Sequence, residues 1–180
     1  MIDIDPSHFG ARASGELWRV DIILTEGFVL VELSGVVEVL RMANRINPTT
    51  LFDWTYRSAK GGYVSCRAGL GTLCEPLTDR PTADYVFVIG NTDSDHPELS
   101  LGTTISAYSY RKAKVILLSE AASRYISEHP NGSGDHTTHW ENRAVLQERG
   151  DPGGEGTYAL AVDDGRVVTC AGMGATVDLT

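Results

Sequence analysis

Three short runs of large apolar residues constrain this chain more than any other feature. Val20, Ile22, Ile23 and Leu24 lie within Trp18 to Thr25, and Tyr85-Val-Phe-Val-Ile89 and Val115-Ile-Leu-Leu118 are shorter and denser. Runs of this length with no polar alternation fit strands covered on both faces, and such strands belong to parallel sheets flanked by helices. The intervening sequence agrees. After Glu26-Gly27-Phe28, Leu33, Val36, Val37, Leu40 and Ala43 recur at helical spacing, and Asn47-Pro48 ends the helix. Phe52, Trp54 and Tyr56 alternate with Asp53, Thr55 and Arg57 as in a half-covered strand. Gly61-Gly62 predicts a hairpin-like turn into a short strand around Tyr63 to Arg67, followed by a loop marked by Pro76 and Pro81. A helix is expected over Leu99 to Arg111, although Gly102 and two threonines weaken it. No turn residue separates Leu118 from Ser119-Glu-Ala-Ala-Ser-Arg-Tyr-Ile-Ser, so a strand should run straight into a helix.

Further on, Asn131 to Gly134 and Asp151 to Gly154 read as loops around a short helix over Glu141 to Glu148. Tyr158 to Val162 and Arg166 to Cys170 read as a hairpin turning at Asp163-Asp164-Gly165. Strands alternating with helices imply an α/β fold, a mostly parallel sheet with helices on both faces. The 180 residues suffice for one such domain, over residues 17–180, behind a polar arm over residues 1–16. The last residues, Gly174 to Thr180, start a helix that stops without a terminator, the pattern of a cut chain.

Charge narrows the function classes. Twenty-four acidic against fifteen basic side chains give a formal charge of −9, which opposes binding to phosphate backbones or anionic lipid. No apolar run is long enough for a membrane span, and the first fifteen residues are polar, so a cytoplasmic protein with no membrane partner is expected. Cys66, Cys74 and Cys170 are odd in number and lack CxxC spacing, and are read as reduced thiols.

In parallel α/β sheets ligands collect at the carboxyl ends of the strands, where loops lead into helix N-termini. The polar stations at such ends are Glu32, Gly90-Asn91, Ser119 and His139. A serine at a sharp strand-to-helix turn, with a histidine and a carboxylate from other loops, is what nucleophilic catalysis requires. A serine there is more commonly an N-cap, and Glu32 would also suit a helix dipole. His136 and His139 form an HxxH pattern, but residues three apart on a strand face opposite sides, so no metal is expected.

Together the segments Gly27 to Arg45 (GFVLVELSGVVEVLRMANR), Phe52-x-Trp54-x-x-x-Ser58-x-x-Gly61-Gly62-x-Val64, Thr137-Thr-His-Trp140 and Val162-Asp-Asp-Gly-Arg-Val-Val-Thr-Cys-Ala-Gly172 resemble a known family. It is the PfpI-like domain, also called class I glutamine amidotransferase-like, in the version forming the N-terminal half of AraC-type transcription regulators. The resemblance implies a flavodoxin-like sheet. It also implies that a cysteine usually occupies the elbow, with a histidine some twenty residues later. Ser119 stands at the elbow here and His139 follows at that distance, while Glu120-Ala121-Ala122 replaces the usual Thr-Gly-Ala. A hydroxyl lacks the partial ionisation of a thiol near neutral pH, so the exchange removes the intrinsic nucleophile unless a base compensates. Glu32 matches the family's acidic residue, and Cys170 matches a Ser or Cys position before a glycine loop.

The expectation is a non-enzymatic sensor and dimerisation domain without catalytic residues or cofactor. Glu32, Gly90, Asn91, Ser119, Glu120 and His139 would line a site for a small metabolite, an amine or amino-acid derivative. DNA would be met only by a helix-turn-helix domain beyond Thr180. The rival expectations are a hydrolase or amidase using Ser119, and an interaction domain with a vestigial pocket.

Overall fold

The computed structural model describes residues 16–90, 99–129, 136–139, 159–165, 167–172 and 174–180. Their strands are β1 (Trp18–Leu24), β2 (Phe52–Ser58), β3 (Gly62–Ser65), β4 (Gly71–Pro76), β5 (Tyr85–Ile89), β6 (Lys114–Leu118), β7 (Ala161–Asp163) and β8 (Val167–Cys170). The helices are α1 (Leu30–Ile46), α2 (Leu101–Tyr110), α3 (Ser119–Glu128) and α4 (Ala175–Leu179). The strands form one sheet in the order β3-β4-β2-β1-β5-β6-β8-β7. The six strands β4, β2, β1, β5, β6 and β8 are mutually parallel, with the antiparallel strands β3 and β7 at the two edges. The expected architecture is therefore the observed one.

The three apolar runs occupy the middle of the sheet because only there are both faces covered. Ile22 and Leu24 of β1, Ile89 of β5 and Leu118 of β6 face a core closed by Val36 and Leu40 of α1 and Ala175 of α4. Ile23, Val88 and Leu117 point the other way, against Leu101, Ile105 and Tyr108 of α2 and Ala121, Ala122 and Tyr125 of α3. One residue of register separates the two sets, so a slip would carry each set to the wrong face. Asn44 fixes where α1 hands over to β2. Its amide nitrogen donates to the Phe52 carbonyl, and its side-chain oxygen accepts from the amides of Leu51 and Phe52, all within 2.9 Å.

One buried polar network interrupts the second core. Asp21 on β1 is ion-paired with Arg57 on β2 at 2.9 Å and accepts the Tyr108 hydroxyl of α2 at 2.5 Å. Arg57 also donates to the Pro76 carbonyl and pairs with Glu75 of β4. Burial raises the Tyr108 hydroxyl far above the ordinary tyrosine range, and the adjacent carboxylate adds to this.

The edge departs from the sequence reading. Gly61 and Gly62, both at positive φ, do not fold β3 back onto β2. β3 pairs instead with β4, Tyr63 opposite Leu73, and β4 pairs with β2 in parallel. The sequence reading missed β4 because Gly71 and Pro76 bracket it, so only Thr72 to Glu75 show its alternation. Pro76 is tolerated because the parallel pairing ends at that residue. Gly102 does not break α2, and Thr104 turns its hydroxyl onto the Ser100 carbonyl at 2.9 Å without interrupting the helix. The expected loops at Asn131 to Gly134 and Asp151 to Gly154 and the helix over Glu141 to Glu148 lie outside the described residues, as does the arm up to residue 15. The hairpin between β7 and β8 is present, with Gly165 at φ +85° in its turn.

Candidate functional site

Glu32 enters the site from the first turn of α1, and its side chain is completely buried. A carboxylate placed there only to complement a helix dipole would sit in solvent, so burial gives this residue a more specific setting. Ser119 enters from the opposite direction, as the first residue of α3 immediately after β6. Its φ is +41°, in the left-handed region that a non-glycine residue adopts at a cost. The junction is the sharp strand-to-helix turn that the sequence implied. The N-cap reading does not hold: α3 has no side-chain cap bond, and the Ser119 hydroxyl donates to the Ala171 carbonyl at 3.4 Å.

The loop after β8 brings these two side chains together. Gly172 has φ +75°, and a Cβ built on it would collide with both Oε1 of Glu32 and Oγ of Ser119, and would lie 2.9 Å from the Ser119 Cβ. One point beside the Gly172 backbone is thus within contact of the carboxylate and the hydroxyl together. The two residues converge because a third has no side chain.

Cys170 completes the floor. It lies opposite Leu118 in the β6–β8 register, is fully buried, and accepts the Gly172 amide hydrogen on Sγ at 3.3 Å. Burial pushes this thiol up to about 11 and the Glu32 charge pushes the same way, against the lowering effect of the Gly172 amide. Cys170 is therefore a neutral thiol near physiological pH, with none of the thiolate that a nucleophile needs. The sign of the linked stability follows. The folded state holds this proton more tightly than the unfolded one, so the contribution is complete below the ordinary value of 9.0 and is lost as pH rises through about 11. Denaturation midpoints should fall between those pH values, and Cys170→Ser should flatten the slope.

Gly90 ends β5 against the first turn of α3, where a Cβ would stand 3.2 Å from the Ala121 nitrogen and 3.4 Å from the Glu120 Cβ. Glu120 is half-buried in that turn. The segment 136–139 belongs to no helix or strand, and His139 is half-buried at its end. Thr138 joins that segment to the elbow by donating its hydroxyl to the Ser119 carbonyl at 3.0 Å. Asn91 lies outside the described residues. Sequence reasoning did not single out Gly172, Thr138 or Ser123. Gly172 and Thr138 were present in the quoted motifs, but no spacing rule says which motif glycine must admit two side chains. Among the described residues no three of His, Cys, Asp and Glu are grouped to hold a metal ion.

No family model matches the chain. The curated HTH-type transcriptional regulator GbdR of Pseudomonas aeruginosa is 26% identical over 155 residues, covering 85% of this chain and 42% of GbdR. The chain thus spans less than half the length of that relative. A solved AraC family transcriptional regulator from Pseudomonas putida is 25% identical and superimposes with a TM-score of 0.73 over 90% of this chain and 88% of its own. A ThiJ/PfpI domain protein from Brachyspira murdochii, 12% identical, reaches 0.67 over 91% and 92% of the two chains. Drosophila melanogaster DJ-1beta, 17% identical, also reaches 0.67, over 91% and 86%. The chain thus shares its fold with ThiJ/PfpI and DJ-1 proteins, and it is similar in sequence to an HTH-type and an AraC family transcriptional regulator.

Proposed function

We propose that this PfpI-like domain is the non-enzymatic, ligand-sensing and dimerising part of an AraC-type transcriptional regulator. The observation that carries the reading is the convergence of a fully buried Glu32 with Ser119 at the side-chain-free Gly172. A carboxylate at the floor of a pocket would suit a ligand ammonium, which supports a cationic amine or an amino-acid derivative as the ligand class. Glu32 and Ser119 form the floor, Gly90 permits close approach to the start of α3, and Glu120 and His139 complete the rim.

Three further points support a regulator rather than a hydrolase. A serine occupies the elbow, the adjacent Cys170 thiol is held neutral by burial, and the sequence relatives named above are regulators. The formal charge of −9 fits a sensor whose DNA contacts reside in a helix-turn-helix domain outside these 180 residues. A regulator of this kind works in the cytoplasm, and no described helix is long and apolar enough to cross a membrane.

Calorimetric titration with choline, other quaternary amines and free amino acids tests the assignment. One of these classes should bind the wild type, and Glu32→Gln should weaken it at least about tenfold, the loss of roughly one charge-assisted contact. Indifference of the wild type to every compound would overturn it. Sedimentation should give twice the chain mass.

A further inference from the structure

The carbonyl of Ser119, the residue after β6 with the left-handed φ, lies within hydrogen-bond distance of two hydroxyls. Ser123 reaches it from the next turn of α3 at 3.1 Å, and Thr138 reaches it from the separate segment 136–139 at 3.0 Å. The two hydroxyl oxygens also contact each other, so two protons serve three contacts: one hydroxyl donates to the carbonyl while the other donates either to it or to the first hydroxyl. Thr138 is fixed from behind. The Thr137 amide donates to the Thr169 hydroxyl of β8 at 3.0 Å, and the Thr137 hydroxyl donates to the Ala159 carbonyl at 2.6 Å. Thr137, Thr138 and Thr169 are all buried, so these bonds do not compete with solvent.

A non-glycine residue keeps a left-handed φ only where its surroundings over-determine it. At Ser119 this hydroxyl pair does so from the carbonyl side, while the Ala171 carbonyl holds the side chain. We propose that Thr138, backed by Ser123, is the positioning residue of the site. It sets the Ser119 elbow and mechanically ties it to His139, the next residue along the chain. A displacement of Ser119 then moves Thr138, and with it His139. In the sensing role proposed above, on which the functional meaning of this tie rests, ligand contact at the elbow reaches His139 through one hydroxyl. Ser123 and Thr138 share the same acceptor, so each partly replaces the other when one is removed.

Amide spectra of the ligand-free protein test the tie without any ligand, so its failure is distinct from failure of the sensing assignment. Ser119→Gly, which relieves the left-handed strain, should shift the His139 amide by more than its line width. Thr138→Val should shift the amides of Ser119, Glu120 and His139 together, and Thr138→Ser should return them to their wild-type positions. In Ser123→Ala, Thr138→Val the effect of Ser119→Gly on His139 should disappear. If Thr138→Val does not fold, Thr138→Ala, alone and with Ser123→Ala, carries the same comparison, since it also removes the hydroxyl. A His139 amide unmoved by Ser119→Gly, or shifts from Thr138→Val confined to residues 136–139, would overturn the proposal.

Discussion

Gly172→Ala should cost this domain about 3 kcal/mol of stability, read as a lowered denaturant midpoint at unchanged slope. Two penalties combine. An alanine held at φ +75° costs about 1–2 kcal/mol over glycine. The added methyl would also overlap the Glu32 carboxylate and the Ser119 hydroxyl. Neither neighbour can give way cheaply, since Glu32 is fully buried on α1 and Ser119 is pinned at its carbonyl by Ser123 and Thr138. Gly165→Ala is the internal control. It carries a similar φ of +85° in the β7–β8 turn but nothing within 4 Å, so it should show only the backbone part of the loss. Equal losses at the two positions would mean that the crowding between Glu32 and Ser119 contributes nothing.

Arg57→Ala should be at least as damaging, at about 3–5 kcal/mol, because it strands Asp21 in the second core. The Asp21 side chain is 6% exposed, and without the guanidinium its described side-chain partner is the Tyr108 hydroxyl. Asp21→Ala should cost less, since Arg57 retains Glu75 and the Pro76 carbonyl near the surface. Replacing both partners, Asp21→Leu with Arg57→Met, should recover much of the loss, as apolar substitution of a buried pair often does. Chemical denaturation of the two single variants and the double variant measures the coupling directly. A double variant no better than the sum of the singles would show that the pair is not one energetic unit.

How much of this was legible beforehand varies with the physical origin of each feature. The central strands were legible because burial on both faces writes an unbroken apolar run into β1, β5 and β6. The sharp junction at Ser119 was equally visible, since no turn residue separates Leu118 from the helical pattern. β4 was hidden because its signal is four residues between Gly71 and Pro76, and its pairing with β2 depends on a long-range contact at Arg57–Glu75. Asp21 looked like a stray polar residue in an apolar run. Its meaning came from Arg57 and Tyr108, which are remote in sequence. Within the site, residue types predicted Glu32 and Ser119, whereas their convergence depends on the missing side chain of Gly172. The hydroxyl relay through Thr138 is a matter of distances that spacing does not encode.

The order of the sheet has a consequence for when the site comes into being. Its floor joins residue 32, carried by the helix after the first strand, to residue 170 at the end of β8, the strand beside β6, and to residue 172 just after it. Residues 32 to 172 must all have emerged before this floor can close, and such distant closure is slow compared with local helix formation. The reverse also holds. Peeling β8 away from β6 dismantles the floor while leaving most of the first core in place, so a molecule bound there would act as a latch on that end of the sheet. Its affinity would add to resistance against opening by mass action, most strongly for the residues from 159 to the end of the chain.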